Sequence, residues 1–529
     1  TIHLENGVSL VNETTGKTAS GNVTVKGGEK FHLVATTANM GSLKGKYAIT
    51  SNFPLDFHAM LLKLESSQDI GFGYYTDSAD LQITVDWPEE AVIEITKKDG
   101  DTGKNLAGAV YGVYSDNACT KLIVKMPPTD SNGSSRVTLT KTQDTVYLKE
   151  ITAPEGYVVQ ASSYGVKLVV GSTTKQTVTD KEQKGNLTVY KEGEVFVGAV
   201  SDENGTSFQY EKRRQKGAVY NVYAAEDIVT AGGKTVYKKG AEVAKNLITG
   251  ENGSVTVKNL PLGSYNVTEA QAPENFYNAK ETKKVTISYA GQTAEAAFSE
   301  TTFTNDRQKA VVQVIKKDKD TENTLSGGHF ALFAAQDMKT VDGKVAVKKD
   351  ALIETAITGT DGKAAFKADL PVGFSYYVKE VQAPAGYVRN EKDTYSFQFS
   401  YTNDEQAKIS FSHTFVNDRV SAAISLNKKD AETKENKAQG DASLENAVYG
   451  LYARNDITHP DGKTGVIYKA GSQIGTLTTD KEGKARIENL YLGEYYIKEI
   501  TPSVGYLADE HEYDLVCSCL LYTSDAADD

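Results

Sequence analysis

KEITAPEGY (149–157), TEAQAPENF (268–276), KEVQAPAGY (379–387) and KEITPSVGY (498–506) are four copies of one form. Their glutamates, Glu150, Glu269, Glu380 and Glu499, lie 119, 111 and 119 positions apart, and each ends an alternating run: VYLKE, YNVTE, YYVKE, YYIKE. Self-similarity at such a period means tandem supersecondary units. Working outward, a second run precedes each copy: VIEITKKDGDTG, NLTVYKEGE, VVQVIKKDKDTE and AISLNKKDAETK. A third lies between the two: LAGAVYGVY, KGAVYNVY, LSGGHFALF and LENAVYGLY. A fourth closes the first three units: TVTDKEQKG, TFTNDRQ and TFVNDRV.

Period-2 alternation with Gly, Asp and Asn turns makes each unit an all-β sandwich of about 100 residues. The expected architecture is an elongated tandem array of Ig-like β-sandwiches. Its units run 91–184, 185–308, 309–420 and 421–518, the fourth cut before its closing strand. The joints are a few residues long and lack Pro- or Ser-rich linkers, so the string is expected to be stiff. Residues 1–90 (NVTVKGG, KFHLVATT, LQITVDW) are strand-like without the repeat, and are read as a separate β-domain or part of one. CLLYTSDAADD (519–529) breaks the pattern and resembles the translated read-through of a sequencing adapter, which would make Cys519 foreign. The chain does not begin with Met and is read as an internal fragment.

Composition narrows the function. The 529 residues carry 58 Lys+Arg against 70 Asp+Glu, a net charge of −12, which argues against binding nucleic acid or an anionic membrane. Hydrophobic residues make up 39%, which suits small domains with much surface better than one large core. Three cysteines, Cys119, Cys517 and Cys519, cannot build a disulfide framework, and with seven scattered histidines they make no zinc pattern. No apolar run reaches membrane-spanning length.

Strand parity points to the chemistry, because alternate side chains share a face. Ile93 and Ile95 share theirs with Lys97, Leu187 and Val189 with Lys191, Val312 and Val314 with Lys316, and Ile424 and Leu426 with Lys428. On the later strand Leu148 aligns with Glu150, Val267 with Glu269, Val378 with Glu380, and Ile497 with Glu499. On the closing strand Val178 aligns with Asp180, Phe303 with Asn305, and Phe415 with Asn417. Two readings stand. These groups lie at strand ends, reaching water or forming ordinary ion pairs. Alternatively, burial lowers the Lys pKa and raises the Glu pKa, so that a neutral amine attacks the side-chain carbonyl of Asn or Asp, polarised by a protonated Glu. The product is a Lys–Asn or Lys–Asp amide, formed once by the protein on itself, which would not make it an enzyme.

At these residues the chain resembles the Cna-B family, also called SpaA-type or prealbumin-like domains, of Gram-positive surface proteins and pili. The likeness covers about 91–518 and rests on the E-box form Y-x-h-x-E-x-x-A-P-x-G-Y together with the opening lysine. It implies intramolecular isopeptide bonds promoted by Glu150, Glu269 and Glu380 between Lys97 and Asp180, Lys191 and Asn305, and Lys316 and Asn417. Lys428 and Glu499 would lack an acceptor. Asp180 stands where Asn is commoner in the family, PENF replaces PxGY in the second unit, and ITPSVGY shifts the proline in the fourth. No Tyr-Pro-Lys-type pilin motif and no Leu-Pro-x-Thr-Gly sorting signal is present.

The resemblance implies a stalk of a cell-surface adhesin or pilus-like protein, extracellular and attached to cell-wall peptidoglycan through a C-terminus outside this fragment, with no cofactor. The alternatives are an adhesin whose modules bind a host extracellular-matrix protein or glycan, and the non-catalytic repeat region of a secreted enzyme. Other motifs are weaker. GGKT (232–235) and DGKT (461–464) lack the earlier glycine of a phosphate loop. DGDTG (99–103) and DKDTEN (318–323) hint at calcium but do not have EF-hand spacing, and are read as turns after the opening strand. Cys119 is read as a half-buried filler. His329 and His413 fall on expected strands, His459 falls in a loop (DITHPDG), and no Ser sits in a nucleophile elbow.

Overall fold

A computed structural model describes residues 2–3, 8–12, 14–24, 31–35, 46–49, 62–63, 69–70, 81–84 and 90–518. The stretch 519–529, with Cys519, lies outside the described residues, as does most of 25–89. The described residues contain strands and no helix, so no helix is long and apolar enough to cross a membrane.

Each of the first three repeats is built as two facing sheets. In the first, the opening strand Glu90–Asp99 lies between Ser134–Thr140, antiparallel, and the closing strand Thr173–Asp180, parallel. The facing sheet runs Leu122–Lys125, Val110–Tyr114, Thr145–Thr152, Ser163–Lys167. Alternation makes this arrangement work: Ile93, Ile95 and Lys97 are buried on one face of the opening strand and pack toward Tyr111, Val113, Val146 and Leu148. The second repeat uses Lys184–Asp202 with Ala296–Asn305 as its parallel pair, and the third uses Lys309–Asp318 with Lys408–Asn417. In the fourth, Ala422–Asn427 pairs only with Lys484–Leu490 among the described residues, where the other opening strands also pair with a closing strand.

Hydrogen bonds fasten each repeat to the next. From the second repeat onward a short hairpin (Ile228–Val229 with Thr235–Tyr237, Met338–Lys339 with Val345–Val347, Ile457–Thr458 with Val466–Tyr468) turns its tip against the preceding repeat. Gly232 N–H donates to Glu182 (2.7 Å), Val341 N–H to the Phe196 carbonyl (3.0 Å), and Lys463 to the Thr324 carbonyl (2.7 Å). GGKT and DGKT are thus the tips of docking hairpins.

One element was not foreseen. The second opening strand does not stop at the end of the repeat pattern; it runs on to Asp202 and returns as Gly205–Arg214. Asp202 Oδ1 accepts the Asn204 and Gly205 N–H groups at the turn. This arm lies on the third repeat: Phe196 is buried in that repeat's core beside Phe374, with Phe208 and Tyr210 against it. Thr206 Oγ1 donates to the Leu352 carbonyl (2.7 Å) and Tyr210 Oη to the Asp369 carbonyl (2.6 Å).

Candidate functional site

The lysine comes from the opening strand, the glutamate from the facing sheet, and the acceptor from the closing strand. Constant register brings them together. The acceptor always pairs across the parallel ladder with the residue two beyond the lysine: Asp180 with Asp99, Asn305 with Gly193, Asn417 with Asp318. Each glutamate lies opposite an aromatic residue just past a β-bulge: Tyr111 with Glu150, Tyr220 with Glu269, Phe330 with Glu380, Tyr449 with Glu499. A bulge re-aims the side chains that follow it.

Lys97, Lys191 and Lys316 are fully buried. Lys97 Nζ lies 2.7 Å from Glu150 Oε1, contacts Asp180 Oδ1 and donates to Tyr111 Oη at 2.9 Å. Lys191 Nζ is 2.9 Å from Glu269 Oε1, and Lys316 Nζ is 3.1 Å from Glu380 Oε1. Asn305 Nδ2 donates to Glu269 Oε2 (2.7 Å) and Asn417 Nδ2 to Glu380 Oε2 (2.8 Å). Lys428 reaches Glu499 at 2.8 Å and is less deeply buried than the other three lysines. The reading in which these groups sit at strand ends and reach water does not fit the first three repeats.

The expected hydrogen bond from Glu to the acceptor carbonyl is not the one observed. Both asparagines turn their amide nitrogen to the glutamate, whose Oε2 accepts the hydrogen bond. Asn417 Oδ1 and Lys316 Nζ are left buried without hydrogen bonds. Burial lowers the pKa of Lys191 and Lys316, and it pushes the Asp180 carboxyl up to about 7 against the pull of Lys97.

Sequence reading passed over two partners. The Tyr of PEGY and PAGY is a donor: Tyr157 Oη donates a hydrogen bond to Asp99 Oδ2 at 2.6 Å and Tyr387 Oη to Asp318 Oδ2 at 2.5 Å. In the fourth repeat Tyr506 donates to Asp430 at 2.8 Å. The second repeat has neither partner, since Gly193 replaces the aspartate and Phe276 the tyrosine; a Cβ at Gly193 would stand 2.3 Å from the Phe276 ring. PENF is therefore half of a paired replacement, a signal present in the sequence as KKD…GY against KEG…NF. The second partner is the next repeat, which holds the loop after the glutamate. Gln292 bonds the Ala153 N–H (2.8 Å) and Ile151 carbonyl (3.1 Å), and Asp404 accepts the Ala272 N–H (2.8 Å).

The remaining candidates do not join this site. Asp99 and Asp318 each cap a turn through Oδ1, as the turn reading expects. Cys119 is half-buried in a turn with φ 52°. His413, on the third closing strand, stacks on Tyr395 and pairs with Asp393 at 3.1 Å. His329 begins the strand His329–Ala334, and His459 is buried at the tip of the fourth repeat's hairpin.

The model of the SpaA prealbumin-like fold domain matches residues 91–183, 189–302, 310–414 and 422–518, well over half of the chain. That of the TED-associated β-sandwich domain matches 1–47. No curated protein matches. Among solved structures, the Bacillus anthracis TIE protein is similar at 19% identity and TM-score 0.43, over 81% of this chain and 72% of its own. BcpA, the major pilin subunit of Bacillus cereus, is similar at 15% identity and TM-score 0.25, over 63% of this chain and 100% of its own. The major pilin SpaD from Corynebacterium diphtheriae is similar at 14% and 0.18, over 64% and 98%.

Proposed function

The chain belongs to the family of SpaA prealbumin-like fold domains, whose members are structural and not enzymes, and from that premise we propose that it is the stalk of a bacterial cell-surface protein. Its modules are 91–184, 185–308, 309–420 and 421–518, and the first three are each closed by a self-formed amide. The observation that carries this reading is the threefold recurrence of a fully buried lysine against a glutamate and an Asn or Asp at fixed register. An ordinary buried ion pair is a weak source of stability, because desolvation costs several kcal/mol per ion. Amide formation removes both charges.

In the reaction, the neutral Lys Nζ attacks Cγ of Asn305 or Asn417. The carboxylic acid of the Glu polarises the carbonyl once the amide has turned over, passes its proton to the departing nitrogen, which leaves as ammonia, and takes up in exchange the proton that Nζ sheds as it becomes the new amide nitrogen. At Asp180 the leaving group is water. The bond ties the first strand to the last, so tension applied at the ends of a module runs through the cross-link and not through the ladders. The stalk would stand on the outer face of the wall, holding a binding region away from it.

The intact mass of the whole chain under denaturing conditions tests this. It should fall short of the sequence mass by two ammonia molecules and one water. A full sequence mass would reduce the three sites to ion pairs and leave the stalk without its cross-links.

The acceptors also predict opposite responses to pH. The raised Asp180 carboxyl is protonated below about pH 7, the form open to attack, and becomes a resistant carboxylate above it. Asn305 does not titrate, and Lys191 sheds its proton as pH rises. In chain purified unfolded and then folded at set pH, closure of the first module should slow from pH 6 to 8, while that of the second holds or quickens. Equal slopes would remove Asp180 from the reaction.

A further inference from the structure

The second module differs from its neighbours at the mouth of its site. Lys283 lies on the strand Thr282–Ile287 and pairs with Val267. At the same place the other modules carry Tyr164, Tyr395 and Tyr513, paired with Leu148, Val378 and Ile497. Lys283 reaches across the gap between the two sheets. Its Nζ donates to the Thr302 carbonyl at 2.7 Å and lies 4.9 Å from the Phe303 ring. Phe303, fully buried, is the residue that pairs with Lys191 across the parallel ladder. A second ammonium therefore touches the closing strand beside the attacking amine.

Charge gives Lys283 a part in the chemistry. Around Lys191 the strand Gly263–Gln271 presents Glu269 at 2.9 Å, and Val219–Ala224 presents Tyr220, whose hydroxyl burial keeps neutral. Ser254–Pro261 presents Val255 and Val257, and the closing strand presents the uncharged Asn305. The remaining charges are at the mouth: Glu281 favours the ammonium form of Lys191 and Lys283 opposes it, the two pairing at 3.5 Å. A neighbouring cation is one way a lysine is made nucleophilic. The third module strikes the same balance with other residues, since Asp393 stands where Glu281 does and pairs with His413 at 3.1 Å. The first has Ser162 there and so no acid to offset.

We propose that Lys283 is a positioning residue for the amide of the second module, its ammonium offsetting Glu281 so that Lys191 reaches its neutral, attacking form. This role rests on the amide reading of the site. The bond to Thr302 also fastens the closing strand that carries Asn305 to the facing sheet.

Full-length chain purified unfolded and folded at set pH can be quenched in denaturant, digested, and read by peptide mass for the Lys191–Asn305 linkage. Removing a cation raises the proton affinity of every group in a site. Lys283→Gln should therefore move the pH profile of closure upward by about 0.5–1 unit. Lys283→Arg keeps the charge and should keep the profile, while Glu281→Gln should move it downward. Closure of the first and third modules should not change. Circular dichroism checks that the variants fold, and Lys283→Tyr serves if Lys283→Gln does not. A Lys283→Gln profile that matches the unsubstituted chain overturns the proposal. So does slowing by one factor at every pH, which would make Lys283 a latch between the sheets and nothing more. An unsubstituted chain that never joins Lys191 to Asn305 would instead overturn the amide reading itself, and this role with it.

Discussion

Changing Glu380 to Ala should leave Lys316 and Asn417 unjoined, restore the mass of one ammonia to the chain, and sharply lower the melting point of the third module. The cross-link would close a loop of about 100 residues, which by the chain-entropy account is worth about 4–5 kcal/mol. For a domain of about 100 residues that is about 20 °C or more in midpoint. Removing the glutamate has a second effect. Lys316 stays fully buried and loses its 3.1 Å partner, which costs about 3–5 kcal/mol by itself. Asn417→Ala separates the two, since it blocks the bond and keeps the Lys316–Glu380 pair. Its chain should also show the heavier mass while melting above Glu380→Ala. If the Glu380→Ala chain still lost ammonia from the third module, the glutamate would not be the promoter of the bond.

Changing Phe196 to Ala should unfold the third module at lower temperature although the residue belongs to the second. Phe196 is buried among Phe374, Phe208 and Tyr210 in the third module's core. Truncating a buried Phe costs about 3–5 kcal/mol, and here the cavity would open between the arm and the third sandwich. The second module's own core, built on Leu187, Val189, Tyr220 and Val267, does not include Phe196. Scanning calorimetry of the whole chain should therefore move the third module's transition and spare the second's. The arm is also tied by Arg307, which stacks 3.4 Å from the Tyr210 ring and pairs with Asp369 and Glu194. A third-module transition that did not move would mean the arm only rests on its neighbour. A shifted second module would place Phe196 in the wrong core.

Much of the site was legible in the sequence. Period-2 parity put Lys97, Lys191 and Lys316 on the core face, and a strand admits only two faces, so a run of alternating apolar residues fixes the side of every neighbour. Repetition then made a weak signal from one strand into a consistent one across four. The paired loss of Asp and Tyr at Gly193 and Phe276 was also in the sequence. It passed unread because the two residues lie far apart in the chain and meet only when the opening strand passes the E-box turn.

By itself, then, the sequence determined the all-β class, the repeat, the family and the residues that face inward, because each follows from local alternation and recurrence. Tertiary structure decided how the acceptor amides turn within modules and what lies between modules. It turned the amides of Asn305 and Asn417 toward their glutamates, laid the 192–214 arm on the third core, and brought Asp318 against His459 and Asp461. The contacts between modules join residues that no pattern links along the chain. Their partners are chosen by how two folded surfaces meet, and local periodicity carries no record of that.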